Sequence, residues 1–365
     1  MFIKNTSFLA VVTSITLFGI WYSCAVLLSG PYGPTRRFNA SSPIQGYSAD
    51  GERPVCADSS AEGVSSSSAT WREKKQSHLL LLSSVGRSGS TFLGELLSQR
   101  PGTVFMFEPE LYLQQKTSAG VTAPASRDLI ERMFSCEFSE EWSRWARLRK
   151  NIWEPGNHYV CNGYIGNDYH HCLKEICRKN VFRVIKTIKL RVWWTGEMLL
   201  RRGVKVVHLV RDPRASFLSL ARLNMVQSDC KVWCPRIQQD LEMVSTMRSL
   251  FPASFISVKY EDLCRDPWGM AMKLWKFIGN ENDSTLPMSW TNFLQLHTIT
   301  TGKKPFSTER NTRQQIGAWR EIISEHLLQE VERHCGDVID MLGHTRFHVL
   351  ANVRNFSIPL ERSNA

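Results

Sequence analysis

The chain has 365 residues, 42% hydrophobic and 10% aromatic, enough apolar surface for one large domain or two small ones. Lys and Arg number 45 against 34 Asp and Glu, a net charge of +11. That excess suits either a soluble surface or a polyanionic partner, and the absence of zinc-finger spacing or an RNA-binding signature argues against nucleic acid.

From the N-terminus, Phe8 to Leu28 is a run of 21 residues without a charge. It is long enough to cross a bilayer as a helix. It also exceeds the apolar core of a cleaved signal peptide, about 7–15 residues. The run predicts an uncleaved signal anchor over 8–28, behind a short cytosolic tail at 1–7. Lys4 precedes it and Arg36 and Arg37 follow it, so charge leaves the orientation open. Nine of the ten cysteines follow the span, and none has zinc-site spacing. They predict several disulfides in an oxidising lumen, with at least one thiol left over and no deducible connectivity. Asn39-Ala-Ser, Asn282-Asp-Ser and Asn355-Phe-Ser are glycosylation sequons, which with the anchor favour a luminal body. Residues 29–75 are rich in Pro, Gly and Ser and predict a flexible stem. The folded domain is expected over 76–350, with a tail at 351–365.

Residues 79–110 read as strand, tight loop, helix, strand. Leu79 to Leu82 are a short apolar run of the buried parallel type. Ser83 to Ser90 is small and Gly-punctuated, with one cation, Arg87. Phe92, Leu93, Leu96 and Leu97 then recur at helical spacing. A glycine-rich loop feeding a helix N-terminus is an anion site, because backbone N–H groups converge there and the helix dipole favours negative charge. Val104 to Phe107 predicts the next strand, ending in Glu108-Pro109. Working groups in open α/β sheets sit at strand carboxyl ends. Glu108 is therefore either a general base beside the anion or a solvated strand-end carboxylate.

Residues 111–180 read as an irregular insertion contributing to an acceptor cleft, with Trp142, Trp145 and Leu148 on one helix face. Phe182 to Leu190 predicts a strand carrying Lys186 and Lys189, which face a ligand or an edge. A helix is expected from about Trp193 to Arg202. Gly203 to Val210 is the strongest central strand, followed by RDPRASFLSLAR. Asp212 and Pro213 there suit a helix start. Arg211 and Ser219 can face one phosphate, unless Arg211 pairs with Asp212 or Glu261. Phe255 to Tyr260 predicts a strand running into YEDL, and a helix follows from Asp266-Pro267. Residues 280–305 read as loop. Thr312 and Gln315 read as a capping box, and one last helix is expected over about 325–342. Alternating strands and helices imply an α/β fold with a parallel sheet.

No Lys follows Gly89, so the loop is not a Walker A motif, and ATP or GTP hydrolysis is poorly supported. At these residues the chain resembles the sulfotransferases. RSGSTF looks like their loop for the 5′-phosphosulfate of 3′-phosphoadenosine 5′-phosphosulfate (PAPS). LVRDPRASFLSLAR looks like their 3′-phosphate motif. Glu108-Pro109, YEDL and RNT…AWR are similar to the Golgi carbohydrate 6-O-sulfotransferases acting on galactose, N-acetylgalactosamine or N-acetylglucosamine. The resemblance implies a P-loop-like three-layer sandwich with a central parallel sheet, the sulfotransferase fold, preceded by one transmembrane helix. It implies PAPS as co-substrate, PAP as product and no metal. Arg87, Ser88, Gly89, Ser90, Thr91, Phe92, Arg211, Ser219 and Arg310 would bind the nucleotide. Glu108 would be the base, with Arg87 and Lys186 assisting catalysis. The implied partner is a glycan acceptor on a glycoprotein or proteoglycan, at the Golgi membrane, in a single-pass type II arrangement; a homodimer is left open. The rival readings are a non-catalytic membrane-tethered glycan-binding protein and a P-loop nucleotide kinase.

Overall fold

The computed structural model describes residues 77–362, apart from 117–120, 150–151, 154–160, 162, 226–228 and 300–306. The anchor at 8–28, the stem at 29–75 and the Asn39 sequon lie outside the described residues. Among the described residues, no helix is long and apolar enough to cross a membrane.

Six strands form one sheet: β1 (Ser77–Ser83), β2 (Thr103–Phe107), β3 (Ile152–Trp153), β4 (Phe182–Thr187), β5 (Lys205–Val210) and β6 (Phe255–Lys259). Their spatial order is β3-β2-β4-β1-β5-β6. The pairs are parallel, except that the two-residue β3 runs antiparallel to β2 at the edge. Leu79 to Leu82 on β1 are wholly buried, because the strand is covered on both faces. Their burial contributes on the order of 6–12 kcal/mol. Leu80 and Leu82 pack toward the helices at Ala123–Phe134, Gly166–Lys179 and Gly196–Arg202. Leu79 and Leu81 pack toward the helices at Ser90–Ser98, Tyr260–Arg265 and Pro267–Phe277. The result is three layers with the expected sheet at the centre.

Several local expectations are corrected. Much of 111–180 is helical, at Leu111–Lys116, Ala123–Phe134, Glu140–Arg149 and Gly166–Lys179. Trp142 is buried and Trp145 packs beside it, but Leu148 is 80% exposed and does not share their face. The segment after β4 is a 3-10 turn, Val192–Thr195, before the helix Gly196–Arg202. The expected loop at 280–305 contains the helix Met288–Ile299, whose Trp290, Phe293 and Leu294 recur at helical spacing and enter the core. Asn311, not Thr312, caps the helix Thr312–Ile322, accepting a bond from the Gln314 N–H. The last helix is two, Glu325–His334 and Gly336–Met341, broken at Cys335. A Cβ at Gly336 would meet the Arg346 guanidinium at 2.5 Å, so the break accommodates a close approach.

Residues 351–362 pack against the domain. Arg320, 3% exposed, donates to the carbonyls of Val353, Asn355 and Ile358, which follow the helix at Thr312–Ile322 in sequence by over 30 residues. Arg362 and Thr345 add backbone bonds to Gly343 and Leu360. Among the described residues, three disulfides join Cys136 to Cys177, Cys161 to Cys172 and Cys234 to Cys335, while Cys230 and Cys264 are free and buried. Neither local sequence pair, Cys172/Cys177 nor Cys230/Cys234, is bridged. The Cys234–Cys335 bond closes a separation of 101 residues, and restraining the unfolded chain over such a loop stabilises by about 2–5 kcal/mol. Cys335→Ser should lower the denaturation midpoint accordingly, checked by urea unfolding under non-reducing conditions; an unchanged midpoint would mean that the bond contributes little.

Candidate active site

The loop between β1 and the helix Ser90–Ser98 turns on two left-handed residues, Arg87 (φ 63°) and Gly89 (φ 89°). At Gly89 a side chain is excluded twice over. The backbone is left-handed, and a Cβ would stand 2.4 Å from the Tyr260 ring. Gly89→Ala should therefore cost at least about 1–3 kcal/mol in stability and weaken anion binding; thermal unfolding and nucleotide titration together check this. Within the loop, Ser88 turns its side chain inward. Its side chain is wholly buried and bonded to the Ser83 hydroxyl, which also donates to the Val85 carbonyl. The hydroxyl of Ser88 shapes the loop rather than facing a ligand.

Gly89, Ser90, Thr91 and Phe92 line a cavity of about 1030 Å³. Arg87, Glu108, Lys186, Arg211, Ser219 and Arg310 line the same cavity, so residues spread over more than 200 positions of sequence converge there. Arg87 Nε donates to Ser219 Oγ at 3.1 Å. Arg211 donates through Nη1 to the Arg87 carbonyl at 2.9 Å and lies 4.2 Å from the Tyr260 ring centre. Arg211 Nε is buried without a hydrogen-bond partner among the described residues. Burial holds the Arg87 guanidinium below its ordinary range, and the Arg211 and Arg310 charges act in the same direction. Three guanidiniums brought together around an unsatisfied N–H form a site for an anion of high charge. Arg211 makes neither of the alternative ion pairs: Glu261 instead accepts from the Asp212 N–H at 3.0 Å, and Asp212 pairs with Arg214 at 2.8 Å.

That second arrangement fixes the helix Pro213–Arg222. Asp212 accepts from the Arg214 N–H, and Arg214 also bridges to Glu332 and to the Thr345 carbonyl. Burial alone would push the Asp212 carboxyl up, but Arg214 and His344 hold it well below the usual carboxylate range. A charged buried network thus aims the start of the helix, and with it Arg211 and Ser219, at the cavity.

At the other side of the loop, Glu108 pairs with Lys186, which is 3% exposed. Glu108 takes φ 45°, a conformation costly for a residue with a Cβ, on the order of 1–3 kcal/mol. Its N–H donates to the Lys186 carbonyl at 2.8 Å, so the β2 and β4 ends clamp it. Lys186 faces the site rather than an edge, its ammonium 4.0 Å from the Phe107 ring centre.

Several supporting residues escaped the sequence. Glu110 is wholly buried and accepts from Ser126 and Thr187 at 2.9 and 2.6 Å. Burial pushes its carboxyl up. Beneath the loop, Ser84 donates to Asp240, Asp240 accepts from Arg191, and Ser84 contacts His208. Burial first, then Arg191 and Arg248, drive His208 down to about 3, so it stays neutral. The only sequence signal for this network was an Arg, a His and an Asp at otherwise apolar, core-facing positions. Among the described residues, no group of His, Cys, Asp or Glu is arranged to hold a metal ion. Of the insertion, Leu111 lines the cavity among the described residues.

A phosphate-type loop on a parallel sheet, clustered guanidiniums and a strand-end carboxylate define an α/β enzyme that handles oxyanions. A family model described as "Sulfotransferase family" matches residues 80–284, and the chain belongs to that family. Mouse carbohydrate sulfotransferase 5 is 28% identical over 341 residues, covering 78% of this chain and 84% of that protein. Human carbohydrate sulfotransferase 6 is 27% identical over 340 residues, with the same coverage of 78% and 84%. Mouse carbohydrate sulfotransferase 4 is 25% identical over 347 residues, covering 79% and 87%.

Proposed function

We propose that the protein transfers a sulfuryl group from PAPS to a sugar hydroxyl, the 6-OH of galactose, N-acetylgalactosamine or N-acetylglucosamine, on glycoprotein or proteoglycan glycans. The observation that carries this reading is the meeting of Arg87, Arg211 and Ser219 with the Glu108–Lys186 pair in one cavity. The similarity to carbohydrate sulfotransferases supports the acceptor class.

In this reading Arg211 and Ser219 hold the 3′-phosphate. The loop backbone, Arg87, Ser90 and Thr91 hold the 5′-phosphosulfate, with Arg310 and the helix Thr312–Ile322 forming a wall over it. The orphan Nε of Arg211 and the convergent guanidiniums suit that double anion. Glu108 takes the proton of the acceptor hydroxyl as its oxygen attacks sulfur and the S–O bond to the 5′-phosphate breaks. Fixed cations stabilise charge on the sulfuryl oxygens and the leaving phosphate. Lys186 holds Glu108 in place and stands near where that charge develops.

The luminal, type II Golgi placement belongs to the same proposal, supported by the 8–28 run, the sequons and the three disulfides. The test is ³⁵S transfer from PAPS to a panel of chondroitin, keratan-type chains and terminal N-acetylglucosamine glycans, with the sulfated position mapped. Label on a sugar 6-OH supports the reading. Protein that binds these glycans but transfers nothing would return the lectin reading, and Mg²⁺-dependent ATP turnover the kinase one.

A further inference from the structure

The helix Met288–Ile299 runs along the donor-loop helix Ser90–Ser98 and brings the chain back to the site. Ser289 Oγ donates to the carbonyl of Gln99, the residue that ends the donor-loop helix, at 2.9 Å. One turn further along, the Phe293 ring meets the Phe92 ring, their centres 5.4 Å apart. The His297 ring stacks on Phe293 at 3.9 Å, one turn further again. The two helices are therefore antiparallel. Residues 307–311 then lead into the helix Thr312–Ile322, and Ser307, Thr308 and Arg310 among them line the cavity.

Two sets of bonds fix this segment. The Arg310 N–H donates to the His297 carbonyl at 3.1 Å. The Thr308 hydroxyl, half-buried, lies 2.6 Å from Glu95 Oε2 and 2.9 Å from His297 Nδ1. Chemistry sets the direction of these two bonds. A hydroxyl has one proton, and an ionised carboxylate only accepts. Thr308 therefore donates to Glu95 and accepts from His297, whose proton sits on Nδ1. Glu95 stands one helical turn from Thr91, which lines the same cavity, so the link ties residues 307–311 to the donor loop itself. The segment needs such a tie. The Arg310 charge acts against the Arg87 guanidinium. Holding two like charges together is unfavourable until an anion joins them, so something other than attraction must keep Arg310 in place.

We propose, resting on the donor-binding reading above, that Thr308 is a positioning residue: its hydroxyl, held between Glu95 and His297, fixes residues 307–311 so that Arg310 is set against the donor loop before the nucleotide enters. Thr308 acts through Arg310 and makes no bond of its own to the donor. Fixing the backbone that carries a long side chain reduces the conformational freedom lost when the donor binds.

The experiment uses the intact protein and reads donor affinity and turnover separately. Thr308→Val keeps the branched shape and removes the hydroxyl. It should raise the calorimetric Kd for PAP, and the KM for PAPS, by about 3–10-fold, the range of a typical hydrogen bond. The KM for the glycan acceptor should not move. Thr308→Ser restores the hydroxyl and should bind PAP within about twofold of wild type. A folding defect behaves differently: it lowers the active fraction and the apparent kcat, and leaves Kd and KM unchanged. The double variant Thr308→Val/Arg310→Ala tests the route. If Thr308 acts through Arg310, the pair binds PAP no more weakly than Arg310→Ala alone. Additive losses overturn the proposal, and so does a Thr308→Val affinity equal to that of wild type. Thr308→Ala, with no methyl to accommodate, repeats each measurement if the valine variant does not fold. Wild type that binds no PAP overturns the donor reading and the proposal with it. Wild type that binds PAP and transfers the sulfuryl group, while Thr308→Val matches it, overturns the proposal alone.

Discussion

Glu108→Gln should cut sulfuryl transfer by about 10²–10⁴-fold, the usual contribution of a positioned general base. The substitution keeps the side chain's shape and one oxygen to accept from Lys186, the partner Glu108 now holds as an ion pair. Loss of turnover would therefore report lost basicity, provided PAP titration shows an affinity close to that of wild type. Glu108→Ala is a different experiment. It leaves a buried ammonium without its carboxylate, which costs about 3–5 kcal/mol, and a fall in activity there would mix chemistry with unfolding. If the Gln variant kept turnover within a few fold of wild type, Glu108 would be a structural partner of Lys186 and the base would lie elsewhere.

The second large effect is expected at the opposite side of the loop. Arg211→Ala should weaken PAP and PAPS binding by about 10–150-fold, the loss of a hydrogen-bonded charge. The fold should survive, because the residue makes no ion pair among the described residues and the helix behind it is held by Asp212, Arg214 and Glu332. Arg211→Lys should restore only part of the affinity: a lysine cannot supply Nη1 to the Arg87 carbonyl and Nε to a ligand together. Calorimetric titration of each variant checks this, and undiminished affinity in the Ala variant would remove the 3′-phosphate assignment.

What was legible in the chain was whatever is local. The β1 run, the Gly-punctuated turn and the Asp-Pro helix start each declare themselves within a few residues, and so does the strand ending in Glu108. Trp290, Phe293 and Leu294, at helical spacing within 280–299, carried a signal of the same kind that a loop reading passed over. Whether a loop serine turns its hydroxyl outward or toward the core follows from one backbone turn, and the left-handed Arg87 at φ 63° precedes the inward-facing Ser88. The Glu108–Lys186 pair joins residues 78 apart, and the Arg214–Glu332 pair residues 118 apart. No window of sequence contains both members of such a pair. The Cys234–Cys335 disulfide follows the same rule, joining residues 101 apart, which is why connectivity was not deducible.

The Cys234–Cys335 bond sets a timetable for biosynthesis. A ribosome adds about 5–20 residues per second, so Cys234 emerges roughly 5–20 s before its partner 101 residues downstream. Glu332, the distant carboxylate on Arg214, arrives in the same late stretch. The helix that presents Arg211 and Ser219 is therefore made early and secured last, and a nascent chain holds the letters of its donor site well before it can use them.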